Sequence, residues 1–186
     1  KPHGENSAAA LDQAMALCKE AGLKVLNCDY HLIHADLGEN PKLGILTHAD
    51  VVRPGEGWSY PPFTCTVVGD RIYGRGTTDD KGPIISALYA MKCIMDLHIP
   101  LKSGVRLLVG GAEETGKRID LTYYHDRHEF PPNIVALDGD FPVVNAEKGI
   151  VRVAYGKDEL SGADESRAIL SIHGSDTYNA IPGTAS

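Results

Sequence analysis

Two short apolar runs constrain the fold of this chain more than any other feature: Leu43–Thr47 (Leu-Gly-Ile-Leu-Thr) and Val105–Val109 (Val-Arg-Leu-Leu-Val). Each is nearly continuous rather than alternating, as in strands covered on both faces of a sheet. Helical patterns lie around them. Ala8–Ala21 places Leu11, Met15 and Cys18 on one face, with Ser7 as its expected cap and Gly22 as its stop. Ile84–Leu97 has Pro83 in its first turn and ends before Pro100. Leu23–Asn27, Ile134–Leu137 and Val143–Asn145 are further strand candidates, and Asp120–His128 is a short helix. Thr64–Tyr73 reads as a hairpin turning at Gly69-Asp70. Strands alternating with helices predict an α/β sheet with helices on its faces.

After Gly149 the texture changes. Ile150–Tyr155 and Ala168–His173 are strand candidates separated by the polar segment Lys157–Ser166, so a second domain is expected from about residue 150. Residues 1–149 then form one domain and 150–186 the truncated start of another.

Charge and cysteine usage narrow the function classes. Lys and Arg number 18 against 25 Asp and Glu, a net charge of −7 with no basic stripe, which argues against a nucleic-acid surface. No apolar run reaches the ~20 residues that span a bilayer, and Lys1–Asn6 lacks a signal peptide's apolar core. Cys18, Cys28, Cys65 and Cys93 are scattered, and we read them as reduced core thiols of a cytoplasmic protein.

Acidic groups recur just past the predicted strands, where ligands sit in open α/β sheets. His48 and Asp50 follow one strand, Glu113 and Glu114 another, and Asp138 a third. A His at a strand end can offer a ring nitrogen to a metal while a carboxylate two residues on fixes its tautomer, although His-x-Asp alone is a weak signal. Gly74-Arg75-Gly76-Thr77-Thr78-Asp79-Asp80-Lys81-Gly82-Pro83 leads into a helix start and reads either as an acidic cap or as a loop presenting Asp79 to metal. Gly110-Gly111-Ala112-Glu113-Glu114-Thr115-Gly116 carries paired glutamates, which are ordinarily solvent-facing but beside a metal could divide into ligand and general base. Asp138-Gly139-Asp140 is by itself more typical of a turn.

Taken together and in this order, the phrases resemble the metal-dependent aminopeptidase, carboxypeptidase G and aminoacylase superfamily. Leu43–Val52, Gly55–Phe63, Gly74–Pro83, Glu113–Gly116 and Asp138–Gly149 are similar to its peptidase V-like dipeptidase branch, and the resemblance runs from about residue 8 to the end. It implies a three-layer α/β zinc-peptidase catalytic domain with a mixed sheet, incomplete here, followed by the beginning of an α+β lid. It also implies two Zn²⁺ per complete site. His48 and Asp138 would ligate one zinc, Glu114 the other, and Asp79 both, with Asp140 as the fallback for Asp138. Asp50 would orient His48, and Glu113 would serve as general base for a zinc-bridged hydroxide attacking a dipeptide. Thr47 and Ala49 depart from the residues usual beside that histidine without removing a ligand. The family's downstream zinc-binding histidine has no counterpart here. Hydrolysis of N-acyl amino acids, or a catalytically silent fragment, are the competing expectations.

Overall fold

The computed structural model describes residues 1–139, 143–146, 149 and 151. The chain divides into two compact units, Lys1–Pro54 with Trp58–Gly139, and Gly55–Gly57 with Asp140–Ser186. All regular elements among the described residues belong to the first. The expected lid strands and Asp140 lie outside the described residues. Val143–Asn145, expected as a strand, has no regular structure.

In chain order the elements are α1 (Glu5–Glu20), β1 (Lys24–Cys28), β2 (Leu32–Leu37), β3 (Pro41–His48), β4 (Thr66–Val68), β5 (Arg71–Tyr73), α2 (Lys81–Asp96), β6 (Gly104–Gly110), a 3₁₀ turn (Glu113–Thr115), α3 (Ile119–His125) and β7 (Asn133–Ala136). Five strands form one mixed sheet in the order β1-β2-β6-β3-β7. β2 is antiparallel to both β1 and β6, whereas β3 runs parallel to β6 and to β7. The carboxyl ends of β3, β6 and β7 therefore share one edge.

Period-2 alternation sorts β6 between two cores. Val105, Leu107 and Val109 face α1 and α2, joining Leu11, Cys18, Ile33, Ala87, Leu88 and Met91. Leu108 faces α3, where it meets Leu32, Cys28 and Tyr124. Helices on one face, sheet, and α3 on the other make three layers. Each fully covered leucine contributes roughly 1.5–3 kcal/mol of burial, so Leu11, Leu107 and Leu108, all at 0% exposure, anchor the layers.

α1 ends as its sequence suggests. Gly22 takes φ +87 and its N–H bonds Lys19 O, while the Leu23 N–H reaches Cys18 O. Those two bonds satisfy carbonyls left open at the helix end. Its start differs from expectation: the helix begins at Glu5 after Gly4, and the Ser7 hydroxyl bonds Gly111 O at 2.8 Å instead of capping. β4 and β5 pair Val68 with Arg71 across Gly69-Asp70, with positive φ at Gly69, as the hairpin reading required.

β2 was absent from the sequence reading. It carries His34 and Asp36, whose polar groups are met laterally. His34 Nδ1 lies 2.9 Å from Tyr124 Oη, Arg106 donates to that same oxygen at 2.9 Å, and Arg106 holds Asp36 through two bonds of 2.7 and 2.6 Å. The cysteine expectation needs correction too. Cys18 and Cys28 are buried, but Cys65 and Cys93 are exposed, because Cys93 falls on the outer face of α2 and Cys65 in the loop before β4. Among the described residues no helix is long and apolar enough to cross a membrane.

Candidate metal centre

His48 closes β3 opposite Gly110 of β6, with its side chain only 2% exposed. Its Nδ1 lies 3.0 Å from the main-chain oxygen of Asp50, while the nearer Asp50 carboxylate oxygen is 3.5 Å away. The ring is thus oriented by Asp50, chiefly through the backbone carbonyl. Nε2 points to Asp79 Oδ1 at 2.9 Å and to Asp138 Oδ2 at 3.6 Å.

The Asp50 carboxylate is engaged elsewhere. It accepts the Glu113 N–H at 3.1 Å and the Glu114 N–H at 3.0 Å, anchoring the glutamate turn to the loop after β3. One donor atom from each of His48, Glu113 and Asp138 lies within 4.8 Å of the others, a grouping that could hold a metal ion. The structure therefore brings His48, Asp79, Glu113 and Asp138 together, with Glu114 next along the same turn, its N–H held by Asp50.

Carboxylates dominate the electrostatics around His48. Burial opposes a charge on His48, yet its hydrogen bond to Asp50 and the charges of Asp50, Asp80 and Asp138 lift its pKa to about 10. Burial also raises Glu113 and Glu114, opposed by His48 and reinforced by neighbouring carboxylates. His48 and the crowded carboxylates thus compensate one another's charge. Nitrogen and oxygen donors of this kind suit a borderline divalent cation such as zinc.

Sequence reasoning missed three supporting residues. Asp80 is fully buried; its Oδ2 accepts the His48 N–H at 3.1 Å and its Oδ1 has no hydrogen-bond partner. Burial pushes its carboxyl up to about 6, against the opposing pull of His48. Lys81 donates from Nζ to Ala49 O at 2.7 Å, tying the start of α2 to the loop after His48. Asp120, 1% exposed on α3, accepts the Ala112 N–H at 3.1 Å. Adjacency to Asp79 was the available signal for Asp80 and Lys81. None existed for Asp120, whose partner lies eight residues away through a turn.

A mixed α/β sheet with a His and several carboxylates at the carboxyl ends of its parallel strands defines a candidate metallohydrolase centre. The chain belongs to peptidase family M20/M25/M40, whose model matches residues 44–154. It is similar to YtjP of Bacillus subtilis (strain 168), provisionally named a dipeptidase, with 37% identity across 100% of this chain and 40% of that protein. A Staphylococcus aureus (strain bovine RF122 / ET3-1) protein with the same provisional name, SAB1611c, is 33% identical over 99% of this chain and 40% of its own length. The chain thus spans about two-fifths of these relatives. Among solved structures, the M20 family metallo-carboxypeptidase Sso-CP2 from Sulfolobus solfataricus superposes with a TM-score of 0.56 and 28% identity, over 70% of this chain and 32% of that one. Human carnosine dipeptidase 1 shares the fold, with a TM-score of 0.59 at 24% identity over 72% of this chain and 33% of that chain.

Proposed function

We propose that these residues form the metal-binding part of a cytoplasmic metallodipeptidase that hydrolyses small peptides with two zinc ions. The observation that carries the reading is the meeting of His48 with Asp79, Glu113 and Asp138 at one sheet edge. His48 and Asp138 would hold one zinc, Glu114 the other, and Asp79 would be shared between them. Zinc bound there supplies the Lewis acid that polarises a peptide carbonyl and makes water a nucleophile near neutral pH. Glu113 accepts the attacking water's proton and delivers it to the leaving amine, a role its raised pKa suits. Asp50 keeps the Glu113–Glu114 turn and the His48 ring in mutual register.

A second assignment is favoured by one observation: Glu113, not Glu114, lies in the donor group with His48 and Asp138. It makes Glu113 a ligand and Glu114 the base. Glu113→Ala in the full-length protein separates the two. The first assignment expects full zinc content with turnover reduced about 10²–10⁴-fold; loss of zinc supports the second. A panel of dipeptides and N-acyl amino acids tests the reaction class, and cleavage of the acyl compounds alone would replace dipeptidase with deacylase.

A further inference from the structure

We propose that Asp120 is a positioning residue for the glutamates of the metal site, acting through the main chain of the turn that carries them. The inference rests on the reading of Glu113 and Glu114 as catalytic base and ligand. Three consecutive main-chain N–H groups, those of Ala112, Glu113 and Glu114, all end on carboxylates: Asp120 takes the first, and Asp50 takes the other two. The beginning of a helical turn leaves such donors without intrahelical partners, so their direction is set by whatever accepts them. Here the acceptors come from two different elements, the loop after β3 and the helix α3. The turn is gripped from both sides.

Asp120 is built for this position. Its second oxygen accepts the Leu121 N–H at 2.8 Å, so both oxygens are engaged while the side chain is almost entirely out of water. A Cβ added to Gly110 would sit 2.5 Å from Asp120 Oδ2. The strand end therefore keeps a glycine where the carboxylate passes, and the carboxylate fills the space a side chain would take. Thr115 completes the turn with a 2.8 Å bond from its hydroxyl to Ala112 O. Moving Asp120 shifts Ala112, and with it the origin of the Glu113 and Glu114 side chains, without touching either carboxyl group.

The test uses the full-length protein with Asp120→Ala, Asp120→Asn, Gly110→Ala, and Gly110→Ala combined with Asp120→Ala. With zinc bound, kcat for a dipeptide falls about 10- to 100-fold in Asp120→Ala while KM stays within about threefold, the cost of misplacing reacting groups rather than of losing a substrate contact. In the metal-free protein, amide hydrogen exchange across residues 112–116 accelerates about tenfold or more, while α2 and β1 keep their protection. Asp120→Asn, which retains one acceptor oxygen, changes both readouts in the same direction but less, and carries the test should the alanine variant not fold. Gly110→Ala matches Asp120→Ala, and the double variant is no worse than either single one, since removing the carboxylate makes room for the methyl group. Unchanged exchange at 112–116, an unchanged kcat, or additive losses in the double variant would overturn the proposal. Exchange is measured without turnover: a wild-type protein that cleaves no dipeptide sinks the enzymatic reading alone, and unchanged exchange in an active protein sinks only the positioning role of Asp120.

Discussion

Replacing Asp80 with asparagine is expected to stabilise the metal-free protein at neutral pH, even though Asp80 is fully buried and bonds the His48 backbone. Desolvation dominates here: one oxygen has no partner, and Asp79 and Asp138 add like charge. The carboxyl rises from its ordinary 3.8 to about 6. A carboxyl whose folded pKa exceeds its unfolded value favours the folded state when protonated, and that advantage disappears as pH climbs through the folded pKa. At roughly 1.4 kcal/mol per pH unit, ionised Asp80 costs the folded state about 3 kcal/mol above pH 6. The amide mimics the neutral acid but leaves an N–H without an acceptor, which returns about 1–2 kcal/mol of that cost. The net expectation at pH 7.5 is a gain of about 1–2 kcal/mol for Asp80→Asn, measured by equilibrium urea unfolding with a chelator present. At pH 4 the gain should turn into a loss of about 1 kcal/mol, because the folded wild type is then largely protonated and only the cost of the unpaired amide N–H remains. Zinc should also reverse the ranking, since a nearby dication favours the ionised carboxylate. A variant less stable than wild type at pH 7.5, or a difference that does not change with pH, would refute the reasoning.

Three other outcomes follow from the structure. His34 is pushed down to about 4, mainly by burial and next by the Arg106 charge, and so is neutral in the fold and protonated on unfolding below its ordinary 6.5. Its contribution is fully present above pH 6.5 and is lost as pH falls toward 4; the unfolding free energy of His34→Gln, from urea titrations, should therefore fall by about 2–3 kcal/mol less than that of wild type between pH 7 and pH 4. Because His48 carries its proton until about 10, zinc binding at pH 7.5 should release about one proton from it, read by calorimetry in buffers of different ionisation enthalpy and absent in His48→Ala. At the end of α2, His98 adopts φ +50 where its N–H bonds Met95 O, so His98→Gly should raise stability by about 0.5–1 kcal/mol, and a lower urea midpoint would contradict that reading.

Much of the scaffold was legible because burial marks its strand sequences. Val105–Val109 is covered on both faces, as its continuous apolar sequence says, whereas in Leu43–Thr47 Leu43 is exposed and Ile45 and Leu46 are half-buried, because neighbouring β7 is itself exposed. β2 was not legible, since a buried strand containing His34 and Asp36 looks like loop until Tyr124 and Arg106 are known to meet them. Ser7 has the residue type of a cap, but the closeness of Gly111, 104 residues on, decided where its hydroxyl bonds. In the site, the motifs named three side chains that do meet, His48, Asp79 and Asp138, but the glutamate grouped with His48 and Asp138 is Glu113, expected as the base, and not Glu114, expected as the ligand. The groups acting on main-chain atoms could not be anticipated, because Asp80, Lys81 and Asp120 depend on backbone donors and acceptors that only the folded chain brings near. For Asp50 the motif pointed to His48 as its partner, but not to the glutamate turn its carboxylate actually holds.

Anomalous X-ray diffraction at the zinc edge, on crystals of the full-length protein, tests the central claim most directly. Two peaks about 3.5–4 Å apart are expected, the first within about 2.0–2.1 Å of His48 Nε2 and bordered by Asp79 and Asp138. Zinc bound away from His48, or a pocket that stays metal-free in saturating zinc, would contradict that claim.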